Sequence, residues 1–242
     1  MTARNNNCEK KVAVITGGSR GFGEVLVKTF SQNGWNVAFS GRNVSNMSSE
    51  TVVSQQADTA NACDMESFFS KVVQKWKRID TLIVNAGKNL DALFLKTSSE
   101  DIDAVCDTNL KGFYVAVHCV FPYMICQKKG HIIVLSSFAA THGRAGQALY
   151  CATKAALCGA VKSLARETGK DGIQANIVLP GFLPIGMGAS ATHDAREKAQ
   201  VENILGQLAS PEESAGFIEY LAGMKSVSGQ IFNLDSRITQ WM

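Results

Sequence analysis

Lys11-Val12-Ala13-Val14-Ile15-Thr16-Gly17-Gly18-Ser19-Arg20-Gly21-Phe22-Gly23 opens as a strand, turns on glycines and runs on as a helix. Phe22, Val25, Leu26 and Phe30 recur at helical spacing over Gly21 to Gln32, and Gly34 follows as a stop signal. Glycines at 17, 21 and 23 let the backbone turn tightly, while the helix N-terminus offers unpaired N–H groups and partial positive charge. Strand, glycine turn and helix in that order predict a seat for a dinucleotide pyrophosphate, with Gly23 also permitting close helix-to-strand packing.

Outward from this turn, apolar strand-like runs alternate with amphipathic helices to the end of the chain. Strands are expected at Lys11 to Ile15, Trp35 to Ser40, weakly at Ser54 to Ala57, then Thr81 to Val84, His131 to Ser136, Ile173 to Leu179 and Gln230 to Leu234. Helices are expected at Gly21 to Gln32, Met65 to Trp76, Asp101 to Gln127, Leu149 to Glu167 and Pro211 to Leu221. This is the α/β pattern of a doubly wound parallel sheet, and no linker or repeat divides it. The stretch 182–198 is rich in Gly, Ala and Ser without sustained periodicity, which predicts a loop acting as a substrate lid.

Composition narrows the function classes. With 242 residues, 45% hydrophobic and 19% charged, the chain suits one globular domain over 1–242. A net charge of +3 on dispersed Lys and Arg forms no basic stripe, so no nucleic-acid partner is expected. No apolar run reaches the roughly 18 residues of a membrane span, and the polar start Thr2-Ala3-Arg4-Asn5-Asn6-Asn7 has no apolar signal core. A cytoplasmic protein with no membrane contact is expected. Seven cysteines (Cys8, Cys63, Cys106, Cys119, Cys126, Cys151 and Cys158), odd in number and without a C-x-x-C pair, predict reduced, mostly packed thiols. His118, His131, His142 and His193 lack metal-ligand spacing, so no metal is expected.

Tyr150-Cys151-Ala152-Thr153-Lys154 sets a phenol and an ammonium four residues apart, on one face of a helix. A nearby ammonium favours the phenolate and should lower the phenol's pKa, suiting Tyr150 to exchange a proton with a carbonyl or alcohol oxygen. Ser137, thirteen positions upstream, ends an apolar strand where open α/β sheets bind ligands. Ser136 alternates to the opposite face. The second strand ends in Ser40-Gly41-Arg42, without the acid that would accept from ribose hydroxyls. Arg20 and Arg42 instead offer guanidinium groups to a 2′-phosphate, so NADP(H) is expected; two solvated surface arginines are the plainer reading of the same pair. His142 and Arg144 read as a solvated loop.

The spacing G-x-x-x-G-x-G resembles the short-chain dehydrogenase/reductase family. So do Asp64, Val84-Asn85-Ala86-Gly87, Asn109, the Ser137 to Lys154 block and Pro180-Gly181, and the likeness spans nearly the whole chain. The resemblance implies a single Rossmann-type domain with a seven-stranded parallel sheet in the order 3-2-1-4-5-6-7, helices on both faces, and a homotetramer. It implies catalysis by Asn109, Ser137, Tyr150 and Lys154, with Asn109 holding a water in a proton relay and Lys154 also holding the nicotinamide ribose. Cofactor contacts are implied at Gly17, Ser19, Arg20, Gly21, Phe22, Gly23, Arg42, Asp64, Asn85, Ala86, Gly87, Tyr150, Lys154, Pro180 and Gly181. Asp64 would meet the adenine, although it equally reads as a helix N-cap. Three departures stand out: Val84 for the motif's first Asn, Ile185 where a Thr commonly holds the carboxamide, and Asp235-Ser236-Arg237 for a common Asp-Gly-Gly.

Within the family, Leu110-Lys111-Gly112, Gly146-Gln147-Ala148, Ser163-Leu164-Ala165-Arg166-Glu167 and Leu205-Gly206-Gln207-Leu208 are similar to the 3-oxoacyl-acyl-carrier-protein reductases. That implies NADPH-dependent reduction of a carrier-bound 3-oxoacyl thioester in fatty acid biosynthesis, with Lys128 and Lys129 facing the acidic carrier. Asp171 stands where those reductases often carry a base. The alternatives are an NADP-dependent dehydrogenase of a small alcohol, sugar or polycyclic ketone, and a dinucleotide sensor without turnover.

Overall fold

Strands that are apolar on both faces are stable only between two helical layers, and the chain builds one sheet covered in that way. The computed structural model describes residues 10–238. In chain order the elements are β1 (Val12–Thr16), α1 (Gly21–Gln32), β2 (Asn36–Gly41), β3 (Met47–Ser48), β4 (Val52–Gln56), α2 (Ala62–Trp76), β5 (Thr81–Val84) and α3 (Ser99–Cys106). They continue with α4 (Gly112–Gln127), β6 (Gly130–Leu135), α5 (Ala139–His142), α6 (Ala148–Thr168), β7 (Ile173–Leu179), α7 (His193–Glu202), α8 (Pro211–Gly223) and β8 (Ile231–Asn233). The sheet order is β3-β4-β2-β1-β5-β6-β7-β8.

Alternation along each strand divides the core. Val12, Val14, Leu82, Ile132 and Val134 turn to one face, against Phe68 and Phe69 of α2, Val120 of α4 and Val161 of α6. Ala13, Ile15, Ile83, Ile133 and Leu135 turn to the other, against Leu26 and Phe30 of α1 and Ile218 and Leu221 of α8. All the loops after the parallel strands therefore leave from one edge of the sheet, where ligands of such folds bind.

Several expectations need correction. The sheet has eight strands rather than seven, because Met47 and Ser48 pair antiparallel with Ser54 and Val53 at the edge. That two-residue strand is exposed and carries no apolar alternation to announce it. Without β3, the parallel strands do stand in the order 3-2-1-4-5-6-7. The expected helix from Asp101 to Gln127 is broken: a π turn over Asp107–Lys111 joins α3 to α4. The stretch 182–198 is not all loop, since it holds a 3₁₀ turn at Gly186–Gly188 and most of α7. Thr192 caps α7 by accepting from Ala195 N at 3.3 Å, yet only Ala199 is buried, so the helix has no apolar stripe to read. The thiols are less packed than expected: Cys158 is buried, but Cys63 and Cys126 are exposed. Cys8 and the polar start lie outside the described residues. Among the described residues, no helix is long and apolar enough to cross a membrane, and no group of His, Cys, Asp and Glu could hold a metal ion.

The amino edge of the sheet is held by charge. Asp80 accepts from Val12 N at 2.9 Å, pairs with Arg78 at 2.7 Å and meets Lys129 at 3.5 Å. Burial alone would raise the Asp80 pKa, but these partners outweigh it and hold the carboxyl below its ordinary value. Nearby, His131 is buried in β6 beside Asn176 Nδ2 at 2.8 Å, and burial lowers its pKa from 6.5 to about 4.

A neutral imidazole in the folded state means that the unfolded chain binds more protons between those two values. The resulting stability is whole above pH 6.5 and is lost as pH falls through about 4. Urea unfolding of wild type should thus lose roughly 3 kcal/mol more than His131→Gln between neutral pH and pH about 4. Parallel losses in the two proteins would contradict this role of His131.

Candidate active site

Thr16, at the end of β1, joins two turns. Its Oγ1 accepts from Asn85 N and Ala86 N, both at 3.1 Å, and Asn85 Nδ2 donates to Thr16 O at 3.0 Å and Gly17 O at 2.9 Å. The glycines of the first turn are required by this closeness. Gly17 has φ +68°, and a Cβ there would lie 2.9 Å from Ala86 Cα. A Cβ on Gly23 would lie 2.1 Å from Gly17 O and 2.7 Å from Asn85 Nδ2. Arg20, the N-cap of α1, is extended and gives the helix no side-chain acceptor, so the first-turn N–H groups face the turn. That cradle suits a phosphate.

At the end of β2, a Cβ on Gly41 would meet Ser19 Oγ at 2.6 Å. Ser19-Arg20 and Gly41-Arg42 therefore lie side by side, and both arginines are exposed. Asp64 is placed differently from the N-cap reading: Asn61 caps α2 by accepting from Asp64 N at 3.2 Å, and Asp64 Oδ2 accepts from Asp58 N at 2.9 Å. Its carboxylate thus braces the loop after β4. Asp58, two residues beyond β4 at the ligand-binding edge, is an acid that the sequence reading missed although its place after a strand marked it.

The reactive groups meet where β6 ends against α6. Lys154 is only 4% exposed, and its Nζ donates to Leu135 O at 2.8 Å while lying 5.9 Å from the Tyr150 ring centroid. Ser136 Oγ donates to Lys154 O at 2.8 Å, which fixes the helix on the strand and commits Ser136 to packing. Ser137 accepts from Ala139 N at 3.2 Å and hydrogen-bonds Tyr150, so both serines meet α6 and the expected division between opposite faces is not kept past the end of β6. Burial lowers the Lys154 pKa to about 8. Burial also raises the Tyr150 pKa; the Ser137 bond opposes the rise, and Cys151 and Asp91 add to it. The expected lowering of the phenol pKa by Lys154 is thus overturned, because the ammonium is aimed at Leu135 O and desolvation of the phenolate prevails. The phenol holds its proton at neutral pH.

The π turn presents Asn109 to this centre. Asn109 is 2% exposed, with Oδ1 accepting from Lys88 N at 2.7 Å and Nδ2 donating to Lys88 O and Thr153 Oγ1, each at 3.0 Å. Both amide hydrogens are used, so no buried donor is left unpaired. A Cβ on Gly87 would lie 3.4 Å from Lys154 Nζ and 3.5 Å from Asn109 Oδ1, which places the turn after β5 beside both groups. Ala86 lies against Gly17, and Pro180 O accepts from Ser214 Oγ at 3.1 Å. Gly181 faces the Asp235 side chain. Ile185 leads into Gly186, whose Cα would lie 3.0 Å from a Cβ on Gly21, so stretch 182–198 returns to the phosphate cradle. Phe22, the second residue of α1, packs with the second core cluster. His142 is exposed but ends α5 rather than lying in a loop, and its ring stacks on Phe138 at 3.9 Å.

The family profile described as short chain dehydrogenase matches residues 11–196. The chain is 36% identical over 240 residues to a 3-oxoacyl-acyl-carrier-protein reductase FabG of Thermotoga maritima, covering 94% of this chain and 97% of that one. It is 34% identical over 233 residues to an acetoacetyl-CoA reductase of Synechocystis sp., covering 94% and 95% of the two. Among solved structures, ElxO with NADP bound is similar with a TM-score of 0.86 at 26% identity, covering 94% of this chain and 98% of that chain.

The glycine geometry makes a paired test. Gly23→Ala should destabilise the protein by about 1–3 kcal/mol, because its Cβ meets backbone that cannot yield. Gly159→Ala, within α6 and with nothing within 4 Å of its Cβ, should stabilise it by roughly 0.5–1 kcal/mol. Urea midpoints read both; equal and small effects would mean that the turn accommodates a side chain.

Proposed function

Because the chain belongs to the short chain dehydrogenase family, we propose that it reduces a 3-oxoacyl thioester, carried on an acyl carrier protein, to the 3-hydroxyacyl product with NADPH. The observation that carries this reading is the meeting of Ser137, a protonated Tyr150 and a buried Lys154 at the ligand-binding edge. The relatives named as reductases of 3-oxoacyl-carrier and acetoacetyl-CoA thioesters support the substrate class.

The cradle fits a dinucleotide: the uncapped start of α1 and the close-set Gly17 and Gly23 leave N–H groups and space for a pyrophosphate. Gly17, Ser19, Gly21, Phe22 and Gly23 would hold it, with Asp64 bracing the adenine end. Arg20 and Arg42 would take the 2′-phosphate. Asn85, Ala86, Gly87, Pro180 and Gly181 would line the nicotinamide end, and Lys154 would hold the ribose. The NADP complex of the similar ElxO supports the choice of NADP(H). When bound, NADPH supplies the hydride. Ser137 holds the substrate carbonyl oxygen beside Tyr150, which gives that oxygen its proton. The phenolate left behind takes back a proton from water, and Asn109 holds the π turn that borders that path. The stretch 182–198 closes over the bound substrate.

Lys128 and Lys129 precede β6, so they lie at the amino edge, roughly 20 Å of strand from Ser137. A carrier drawn there would serve another subunit of a homotetramer, in a cytoplasmic enzyme. The second reading, an NADP-dependent dehydrogenase of a small alcohol, sugar or polycyclic ketone, is favoured by Asp171, which lowers the positive charge beside Lys170 on that same edge.

NADPH consumption on acetoacetyl groups carried by acyl carrier protein or by CoA, and on free ketones, separates these readings. Wild type should turn over the carrier-bound substrate best, and should prefer NADPH to NADH. Arg42→Ala should erode that preference by about 1.5–3 kcal/mol. Tyr150→Phe should lose roughly 10²–10⁴-fold in kcat while NADPH titration stays near wild type. Activity confined to free ketones would replace the substrate assignment, and bound cofactor with no turnover on any substrate would overturn the catalytic one.

A further inference from the structure

The turn after β8 reaches both flanks of the site. Asp235 accepts from Arg237 N at 3.1 Å and Arg237 Nε at 2.8 Å, and pairs also with Nη2; the two side chains are only 1% and 10% exposed. The Arg237 guanidinium carbon lies 3.9 Å from the Phe138 ring centroid, and His142 stacks on the same ring at 3.9 Å with planes 7° apart. Two groups so close to one centroid overlap unless they take opposite faces, so the Phe138 ring is held between them. Phe138 directly follows Ser137. Asn233 Nδ2 closes the turn by donating to Arg237 O at 3.0 Å.

The middle residue of this turn grips the other flank. Ser236 N and Oγ both donate to Asn203 Oδ1 at 2.9 Å, and Ser236 Oγ accepts from Leu205 N at 3.2 Å. Asn203 is 3% exposed and caps the end of α7, its Nδ2 donating to Ala199 O at 2.7 Å. A short surface turn needs no buried ion pair for its own sake, since desolvating two charges is costly. What the pair achieves here is a planar guanidinium fixed in orientation against one ring.

We propose that residues 235–237 form a latch, in which Arg237 is a positioning residue for Ser137, acting through Phe138, and Ser236 tethers α7 and the segment that follows it. The catalytic part of this rests on the function proposed above. A Ser137 hydroxyl that wanders relative to Tyr150 costs rate at the proton-transfer step, not affinity for the dinucleotide, whose phosphates would be held at the turn after β1. Loosening the α7 end costs substrate retention instead.

Hydrogen–deuterium exchange and steady-state kinetics with NADPH and acetoacetyl-CoA test the latch in the full-length protein. Arg237→Gln should speed exchange in a peptide covering 137–147 and lower kcat by roughly tenfold, with the KM for NADPH changed less than about twofold. Arg237→Lys, which keeps the charge but not the planar face, should behave in the same way. Ser236→Ala should speed exchange over 199–206 and raise the KM for acetoacetyl-CoA more than it lowers kcat. Exchange over β1 should not change in any variant. Unchanged exchange in the two named peptides, or an equal rise in β1, overturns the latch. Wild type inert toward acetoacetyl groups on both CoA and acyl carrier protein would count against the proposed function, while the exchange results would still decide the latch.

Discussion

A buried ammonium at Lys154 is the constraint around which the carboxyl edge of the sheet is arranged. With its pKa lowered from 10.5 to about 8, the side chain carries its charge at neutral pH at a net cost of roughly 3 kcal/mol to folding. The cost is full below about pH 8 and is relieved as pH rises towards 10.5, because the unfolded chain holds that proton longer. A group that expensive demands fixed partners. Leu135 O supplies one at the end of β6, and Ser136 locks the backbone of residue 154 to the same strand. Gly87 lies on a further side, where a Cβ would come into ordinary contact with the ammonium at 3.4 Å.

From that fixed point the rest of the edge divides its work. Tyr150, one turn back along α6, keeps its proton because burial opposes the phenolate, and Ser137 meets it from just past the end of β6. Thr153, between Tyr150 and Lys154 in sequence, takes a hydrogen bond from Asn109 and ties the π turn to α6. Two strands away in the sheet order, at the end of β1, Thr16 and Asn85 draw the first glycine turn against the turn after β5. The cradle for phosphates and the proton-bearing end are thus set on one frame at a fixed separation, as hydride transfer between two bound molecules requires.

Much of this was legible in the sequence because it is local. The glycine turn, the Tyr150-to-Lys154 spacing and the apolar strands each declare themselves within a few residues. What escaped was set by distant contacts or by polarity. The π turn at Asp107–Lys111 leaves the helical pattern on either side intact, so Asp101 to Gln127 reads as one helix. α7 is exposed and polar, which makes it look like loop, and β3 is two exposed residues. Asp64 looked like a cap because Asn61, the residue that caps, stands only three positions before it. The direction of the Tyr150 pKa depends on burial and on where Lys154 points, neither of which spacing encodes. The Arg237 contact with Phe138 joins residues about a hundred positions apart, and nothing near either residue announces it.

Lys154 is a charged group held in a buried site by the end of β6, and its own titration is the test. Nitrogen-15 NMR of lysine-labelled protein, with the Lys154 signal assigned by its absence in Lys154→Met, should show this ammonium titrating near pH 8, apart from the surface lysines. A Lys154 signal that titrates with the others near 10.5 would mean a solvated side chain, and would contradict the account.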